Sequence, residues 1–202
     1  GENYSLPATA TSDAIIAIAQ SDGSRRWSRQ FTAGDVWNIS CDIPLISSNC
    51  PDKSKGVDLD FGAPPILTVS KAHGPILVAG QKSGVVYAMQ PDTGQVLWSQ
   101  RVGRGGKLGG IHWGMAVSES SNLLFVPISD RFGDKHSPDP ARPGLHALDL
   151  DTGNIVWSTL HMGGCTSDGA CESGLSAAIT ASPGLVFSGG LDGILRAYDA
   201  DT

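Results

Sequence analysis

Positive charge, helical periodicity and the paired motifs that mark most metal or nucleophile chemistry are all scarce in this chain of 202 residues. Lysine and arginine number 14 against 20 aspartates and glutamates, a net charge of −6. That balance offers no basic surface for nucleic acid or an anionic membrane. No apolar run approaches the ~20 residues of a helical membrane span. Cys-x-x-Cys is absent, which argues against structural zinc and thioredoxin-like chemistry, and the missing Cys-x-x-Cys-His argues against covalent haem in this stretch. The histidines (His73, His112, His136, His146 and His161) show no His-x-x-x-His spacing, and no Gly-x-Ser-x-Gly elbow supports serine hydrolysis. No signal-peptide pattern opens the chain, although a piece lacking its true start would not show one.

Glycine is abundant instead, at 26 residues against a usual share of about 7%, with 12 prolines. Short apolar runs bounded by Gly, Pro, Asp and Ser give an all-β composition. One unit recurs. Gly84-Val-Val-Tyr-Ala-Met-Gln-Pro-Asp-Thr-Gly-Gln-Val-Leu-Trp98 has a second copy over Arg142–Trp157, a weaker one over Asp13–Trp27 and a truncated one over Asp192–Thr202. Ala17, Ala88 and Ala147 each precede a Gly by six residues and a Trp by ten, and Ala197 is in phase. The unit reads as an apolar strand, a turn, and a second strand carrying Trp. Intervals of 71, 59 and 50 residues suit propeller blades with insertions, and since one hairpin cannot bury its own faces, neighbours must stack on it. About four blades are accounted for, and the chain reads as part of a single propeller domain belonging to a longer protein.

Residues 33–65 form the longest and most chemically loaded insertion. The cysteines fall into two close pairs in polar loops, and their even count favours local disulfides Cys41–Cys50 and Cys165–Cys171 in an oxidising compartment, with four reduced thiols as the alternative. Apolar strands are expected at Ile66–Ser70, Pro75–Ala79, Ile111–Val117, Leu123–Ile128, Ala177–Thr180 and Leu185–Ser188. Residues 130–143, with three prolines, read as a surface loop.

Gly103-Arg-Gly-Gly-Lys-Leu-Gly-Gly110 resembles a phosphate loop but fails the pattern: Leu108 follows Lys107 where Ser or Thr is needed, and no helix pattern comes after. It is expected to turn backbone tightly at the propeller centre or beneath a flat ligand. Trp27, Trp98 and Trp157 belong to blade packing, with the indole N–H donating to backbone. Trp37 and Trp113 lie outside the repeat and are candidates for a site, core packing being the alternative. Asp58 and Asp60 flank Leu59, so in an extended strand they would share one face and raise one pKa or bind a cation. Spacing alone favours a solvated acidic turn there, an ordinary solvated charge for Lys82, and a structural histidine at His112.

The Ala-x-Asp-x-x-Thr-Gly-x-x-x-Trp pattern, complete at Ala147–Trp157, resembles the tryptophan-docking motif of quinoprotein alcohol dehydrogenases, which use pyrroloquinoline quinone (PQQ). Gly34-Asp-Val-Trp-Asn38, Asp58-Leu-Asp-Phe-Gly-Ala-Pro-Pro65, Gly109-Gly-Ile-His-Trp-Gly114 and Ser176–Gly193 narrow the likeness to the polyvinyl-alcohol dehydrogenase branch. The resemblance implies an eight-bladed ring and oxidation of alcohol groups by hydride transfer to PQQ, with Ca²⁺ beside it. Electrons would pass to a cytochrome c, its haem on a partner or another domain, in the periplasm or outside the cell. It implies a catalytic base at Asp58, with Asp60 and the Asn38 neighbourhood as alternatives, because the Asp-x-Asp lies about twenty residues beyond its usual place after Asp-x-Trp. It implies quinone contacts from Lys82, a cofactor environment including Trp37, His112 and Trp113, and calcium ligands at Glu2 or Asn3. Rival readings are a non-catalytic propeller scaffold of the outer-membrane assembly type and a quinoprotein sugar dehydrogenase.

Overall fold

A computed structural model describes residues 5–51, 56–131, 137–161 and 173–202. Cys165, Cys171, Glu2 and Asn3 lie outside these residues. The chain is a succession of antiparallel meanders. The first sheet has two strands, β1 (Ala14–Ile18) and β2 (Arg25–Gln30). The second has four in sequence order: β3 (Ile66–Ser70), β4 (Gly74–Gly80), β5 (Val85–Met89) and β6 (Val96–Arg101). The third repeats this with β7 (Ala116–Ser118), β8 (Leu123–Ile128), β9 (Gly144–Asp149) and β10 (Ile155–Leu160). The fourth comprises β11 (Thr180–Ser182), β12 (Leu185–Gly189) and β13 (Leu195–Asp199). These are β-propeller blades.

Side-chain alternation explains the stacking. On β4, Ile76 and Val78 face the third sheet and pack with Leu124, Val126, Ile128 and Leu148. The intervening Leu77 and Ala79 face the first sheet and Ile15. On β8 the other set, Leu123 and Phe125, meets Val186 of the fourth sheet. All six residues of β8 are buried, which is why it reads as an unbroken apolar run.

The repeat tryptophans join one blade to the next. Trp27 Nε1 donates to Pro91 O at 2.9 Å, Trp98 Nε1 to Leu150 O at 3.1 Å, and Trp157 Nε1 to Ala200 O at 3.3 Å. The indoles of Trp27 and Trp98 also lie against a turn glycine. A Cβ on Gly94 would stand 2.6 Å from the Trp27 ring, and one on Gly153 would stand 2.5 Å from Trp98. Both glycines have positive φ, so the turn and the docking surface demand the same residue.

Two expected strands begin late. The runs from Ile111 and Ala177 pair only from Ala116 and Thr180. Ile111 is apolar because it plugs the core, and its N–H goes to Gln81 O rather than to a ladder. The insertion contains two short 3₁₀ turns, Ile39–Cys41 and Pro44–Asn49, closed by a Cys41–Cys50 disulfide. No helix among the described residues is long and apolar enough to cross a membrane.

The docking geometry makes a selective prediction for the full-length protein. Gly74 also has positive φ but nothing within 4 Å of a Cβ, so Gly74→Ala should cost only the strain of about 1–2 kcal/mol. Gly153→Ala should cost about 1–3 kcal/mol more, because the Trp98 ring must move. Equal shifts in urea midpoint would show that the indole does not depend on this glycine.

His146 supplies a second prediction. It is fully buried, donates from Nε2 to Arg142 O at 2.9 Å and accepts at Nδ1 from Ser158 Oγ at 2.8 Å, the neutral tautomer. Burial pushes its pKa down to about 4. The unfolded chain therefore binds the proton first, so this contribution is complete above about pH 6.5 and declines as the pH falls toward 4, by about 2–4 kcal/mol. Unfolding titrations at pH 7 and 4.5 should show a shallower loss in His146→Gln than in the parent.

Candidate functional site

Alternate connections of a meander emerge at the same end of the sheet. The turn between β4 and β5 therefore lies with the segments entering and leaving the blade, and backbone bonds stitch them together. Lys82 N donates to Asp60 O at 3.1 Å, Gly106 N donates to Lys82 O at 3.1 Å, and Ser129 N to Gly110 O at 3.1 Å. The approach is too close for side chains: a Cβ on Gly110 would lie 2.2 Å from Lys82 O.

At this end three charges meet, two of them below the surface. Lys82 Nζ stands 3.0 Å from Asp58 Oδ2 and 2.8 Å from Asp60 Oδ1. Asp58 and Lys82 are 4% and 8% exposed, so neither is the solvated charge that spacing alone favours. Nor is the Asp-x-Asp stretch a strand. Asp58 has φ +54°, and this left-handed turn, not strand alternation, sends both carboxylates to one ammonium. Burial pushes the Asp58 carboxyl up, beyond what Lys82 offsets. Burial would raise Asp60 as well, but the Lys82 ammonium outweighs it and holds that carboxyl low. Lys82 loses by burial and gains more from its two partners, so its pKa rises and it stays charged. The two carboxyls are thus pushed in opposite directions from the same ordinary range.

Around this cluster Gly62 leaves room for the His112 carbonyl, which a Cβ would approach to 2.5 Å, and for Lys82 Cε at 3.9 Å. His112 Nδ1 pairs with Ser176 Oγ at 2.7 Å, and its ring stacks on Trp113 with centroids 4.5 Å apart. Trp113 is 53% exposed. Trp37 is buried, with Lys107 Nζ 6.0 Å from its ring centroid and no partner for its indole N–H among the described residues. Asn38 caps a 3₁₀ turn: its Oδ1 accepts from Ser40 N at 2.9 Å and from Ser40 Oγ, and its Nδ2 donates to Asn49 O at 3.2 Å. The structure thus brings Asp58, Asp60 and Lys82 into contact and engages Asn38 in its own turn. Among the described residues no group of three or more His, Cys, Asp or Glu is placed to hold a metal ion.

Residues 82–202 match the PQQ_2 family, described as outer membrane protein assembly factor BamB. The chain belongs to the PQQ_2 family of β-propellers. It is 38% identical over 190 residues to a polyvinylalcohol dehydrogenase of a Pseudomonas species, covering 93% of this chain and 28% of that protein. It is 33% identical over 196 residues to the polyvinylalcohol dehydrogenase of Sphingopyxis sp. strain 113P3, covering 95% and 29%. The chain therefore spans under a third of the length of these relatives. The quinohemoprotein alcohol dehydrogenase of Comamonas testosteroni superposes with a TM-score of 0.61 at 17% identity, over 95% of this chain and 34% of that one, which speaks to the fold.

Within this PQQ_2 propeller the Gly-rich segment has an anion after all, one the chain supplies. Asp130, 3% exposed, accepts Gly105 N at 3.0 Å and Gly110 N at 3.1 Å on Oδ1, and Arg104 N at 2.8 Å and Arg142 N at 2.9 Å on Oδ2. Part of the expected surface loop 130–143 is thus a buried anchor. Sequence reasoning missed Asp130 and gave Asp35 no role of its own. The available signal was a nest of N–H groups lacking a phosphate pattern, with an Asp directly after an apolar strand. Asp130→Asn in the full-length protein removes half of these acceptors and should destabilise it by about 2–4 kcal/mol in urea unfolding. An unchanged midpoint would mean that the segment keeps its shape unaided.

Proposed function

We propose that this chain carries part of the active site of a PQQ-dependent dehydrogenase that oxidises alcohol groups, the secondary hydroxyls of a polymer such as polyvinyl alcohol. The observation that carries the reading is the Asp58–Lys82–Asp60 cluster, in which Asp58 and Lys82 are buried and Asp60 is half-buried. A scaffold of the assembly-factor type has no use for a buried Asp58–Lys82 pair with a second carboxylate beside it, since such groups are weak contributors to stability. A quinoprotein sugar dehydrogenase would share the cofactor chemistry, and the identity to polyvinylalcohol dehydrogenases favours the polymer.

The residues present fit a flat, anionic quinone. Lys82 offers a held positive charge, Trp37 a buried N–H with no partner among the described residues, and Trp113 an open indole face. When bound, PQQ supplies the two-electron acceptor for hydride. Asp58 engages Lys82 through Oδ2, which leaves Oδ1 to take the hydroxyl proton of the substrate. Lys82 holds its charge where negative charge develops, and Asp60 fixes the ammonium in place. The calcium ion implied by the resemblance has its named ligands, Glu2 and Asn3, outside the described residues. A cytochrome c is the electron acceptor in this reading. The periplasm or cell exterior is the compartment, in keeping with the Cys41–Cys50 bridge.

In the full-length enzyme Asp58→Asn should lower kcat by about 10²–10⁴ with modest change in PQQ affinity. Lys82→Ala should weaken PQQ binding and slow turnover together. If Asp60→Asn is the inactive variant and Asp58→Asn turns over normally, the base is Asp60. Full activity in all three variants would leave only the scaffold.

A further inference from the structure

We propose that Asp35 is a positioning residue for the Lys82 centre: by holding the backbone amides of Val57, Asp58 and Leu59 it fixes the left-handed turn that aims Asp58 and Asp60 at one ammonium. The inference rests on the functional reading of Asp58 and Lys82 given above. Asp35 is 4% exposed. Its Oδ1 accepts Val57 N at 3.0 Å and Asp58 N at 3.4 Å, and its Oδ2 accepts Leu59 N at 2.8 Å. A carboxylate closing on three successive amides is a charge-assisted clamp, and it dictates the curvature of the peptide it grips.

That curvature is unfavourable by itself. A residue with a Cβ enters the left-handed region at a penalty and stays only where its surroundings over-determine it. At Asp58, φ +54°, the amides on both sides and its own are held by one carboxylate 23 residues earlier. The turn has two consequences for the centre. It converges the side chains of Asp58 and Asp60 on Lys82 Nζ, and it presents the Asp60 carbonyl to Lys82 N at 3.1 Å, so the lysine is gripped by side chain and backbone at once. Asp35 is itself anchored. Gly34 before it turns at φ +77°, and Trp37 after it lies so close to Gly56 that a Cβ there would stand 2.4 Å from Trp37 Cβ. The disulfide-closed loop follows immediately. The 33–65 insertion thereby delivers Asp58 and Asp60 to a lysine in the next blade.

The test uses the full-length protein and Asp35→Asn, which keeps the shape but points an NH₂ at one of the clamped amides. Hydrogen exchange at Val57–Leu59 should accelerate about tenfold or more, the worth of one charge-assisted bond. Lys82 should be methylated by formaldehyde and cyanoborohydride about tenfold faster, read by peptide mass spectrometry, because its carboxylates lose their fixed positions. PQQ titration of the same variant should show weaker binding. Faster exchange with unchanged Lys82 reactivity would overturn the proposal and leave Asp35 a loop support. If the variant does not fold, the parent decides: amides of Val57–Leu59 that exchange as fast as exposed loop amides would equally overturn it. A parent that binds no PQQ sinks the functional reading instead, and the Lys82 labelling still reports whether Asp35 positions that side chain.

Discussion

Everything at the site depends on one contact made repeatedly, the indole of one blade lying on the turn glycine of the next. Hydrophobic burial between sheets is non-directional and would tolerate sliding. The Trp N–H bonds to Pro91, Leu150 and Ala200 remove that freedom, because each fixes one sheet along its neighbour to within a hydrogen bond. With the outer turns in register, the connections at the opposite end of the sheets are brought together as well. Only then can a connection from before the second blade reach the β4–β5 turn within that blade.

At that opposite end the governing constraint changes from apolar packing to the satisfaction of buried polar groups. The connections cannot form ladders, so their amides need other acceptors. Two carboxylates fill the need: Asp35 for residues 57–59, and Asp130 for Arg104, Gly105, Gly110 and Arg142. These two clamps lie on either side of the Lys82 peptide, whose N–H and C=O are taken by Asp60 and Gly106. The lysine backbone is thus immobilised from both directions, and its ammonium is left to the two remaining carboxylates.

The fold was legible because its signals are local. Six residues from Ala to Gly and ten from Ala to Trp is a spacing that any copy of the hairpin must keep. The alternation on β4 and the apolar run on β8 follow from one-sheet and two-sheet burial. For the candidate site, the resemblance singled out residues that do meet, while their geometry left no sign in the sequence. Asp58, Asp60 and Lys82 could be named, but an alternating Asp-Leu-Asp suggests a strand, whereas a distant carboxylate bends it into a turn. Asp130 was hidden for the same reason. Its partners are amides spread from residue 104 to 142, and amides leave no trace in the side-chain alphabet. Ile111 shows the converse error, an apolar residue taken for a strand because burial and pairing look alike in sequence.

Lys82 and Asp130 occupy the same place in consecutive blades, two residues beyond β4 and β8 respectively, and Leu191 holds that place after β12. The position is a slot where an inner strand ends against the connection from its neighbour. An aspartate there folds back on the amides of that connection and becomes architecture. A leucine presents no charge at all. A lysine cannot accept from amides, so its head group must find anions elsewhere, and here it finds two delivered by an inserted segment. The same slot therefore takes a structural anion, an apolar residue or a cation, according to the side chain that fills it and what the preceding connection brings to it. In this chain the second blade carries the cation, and the long insertion that precedes it supplies the two carboxylates.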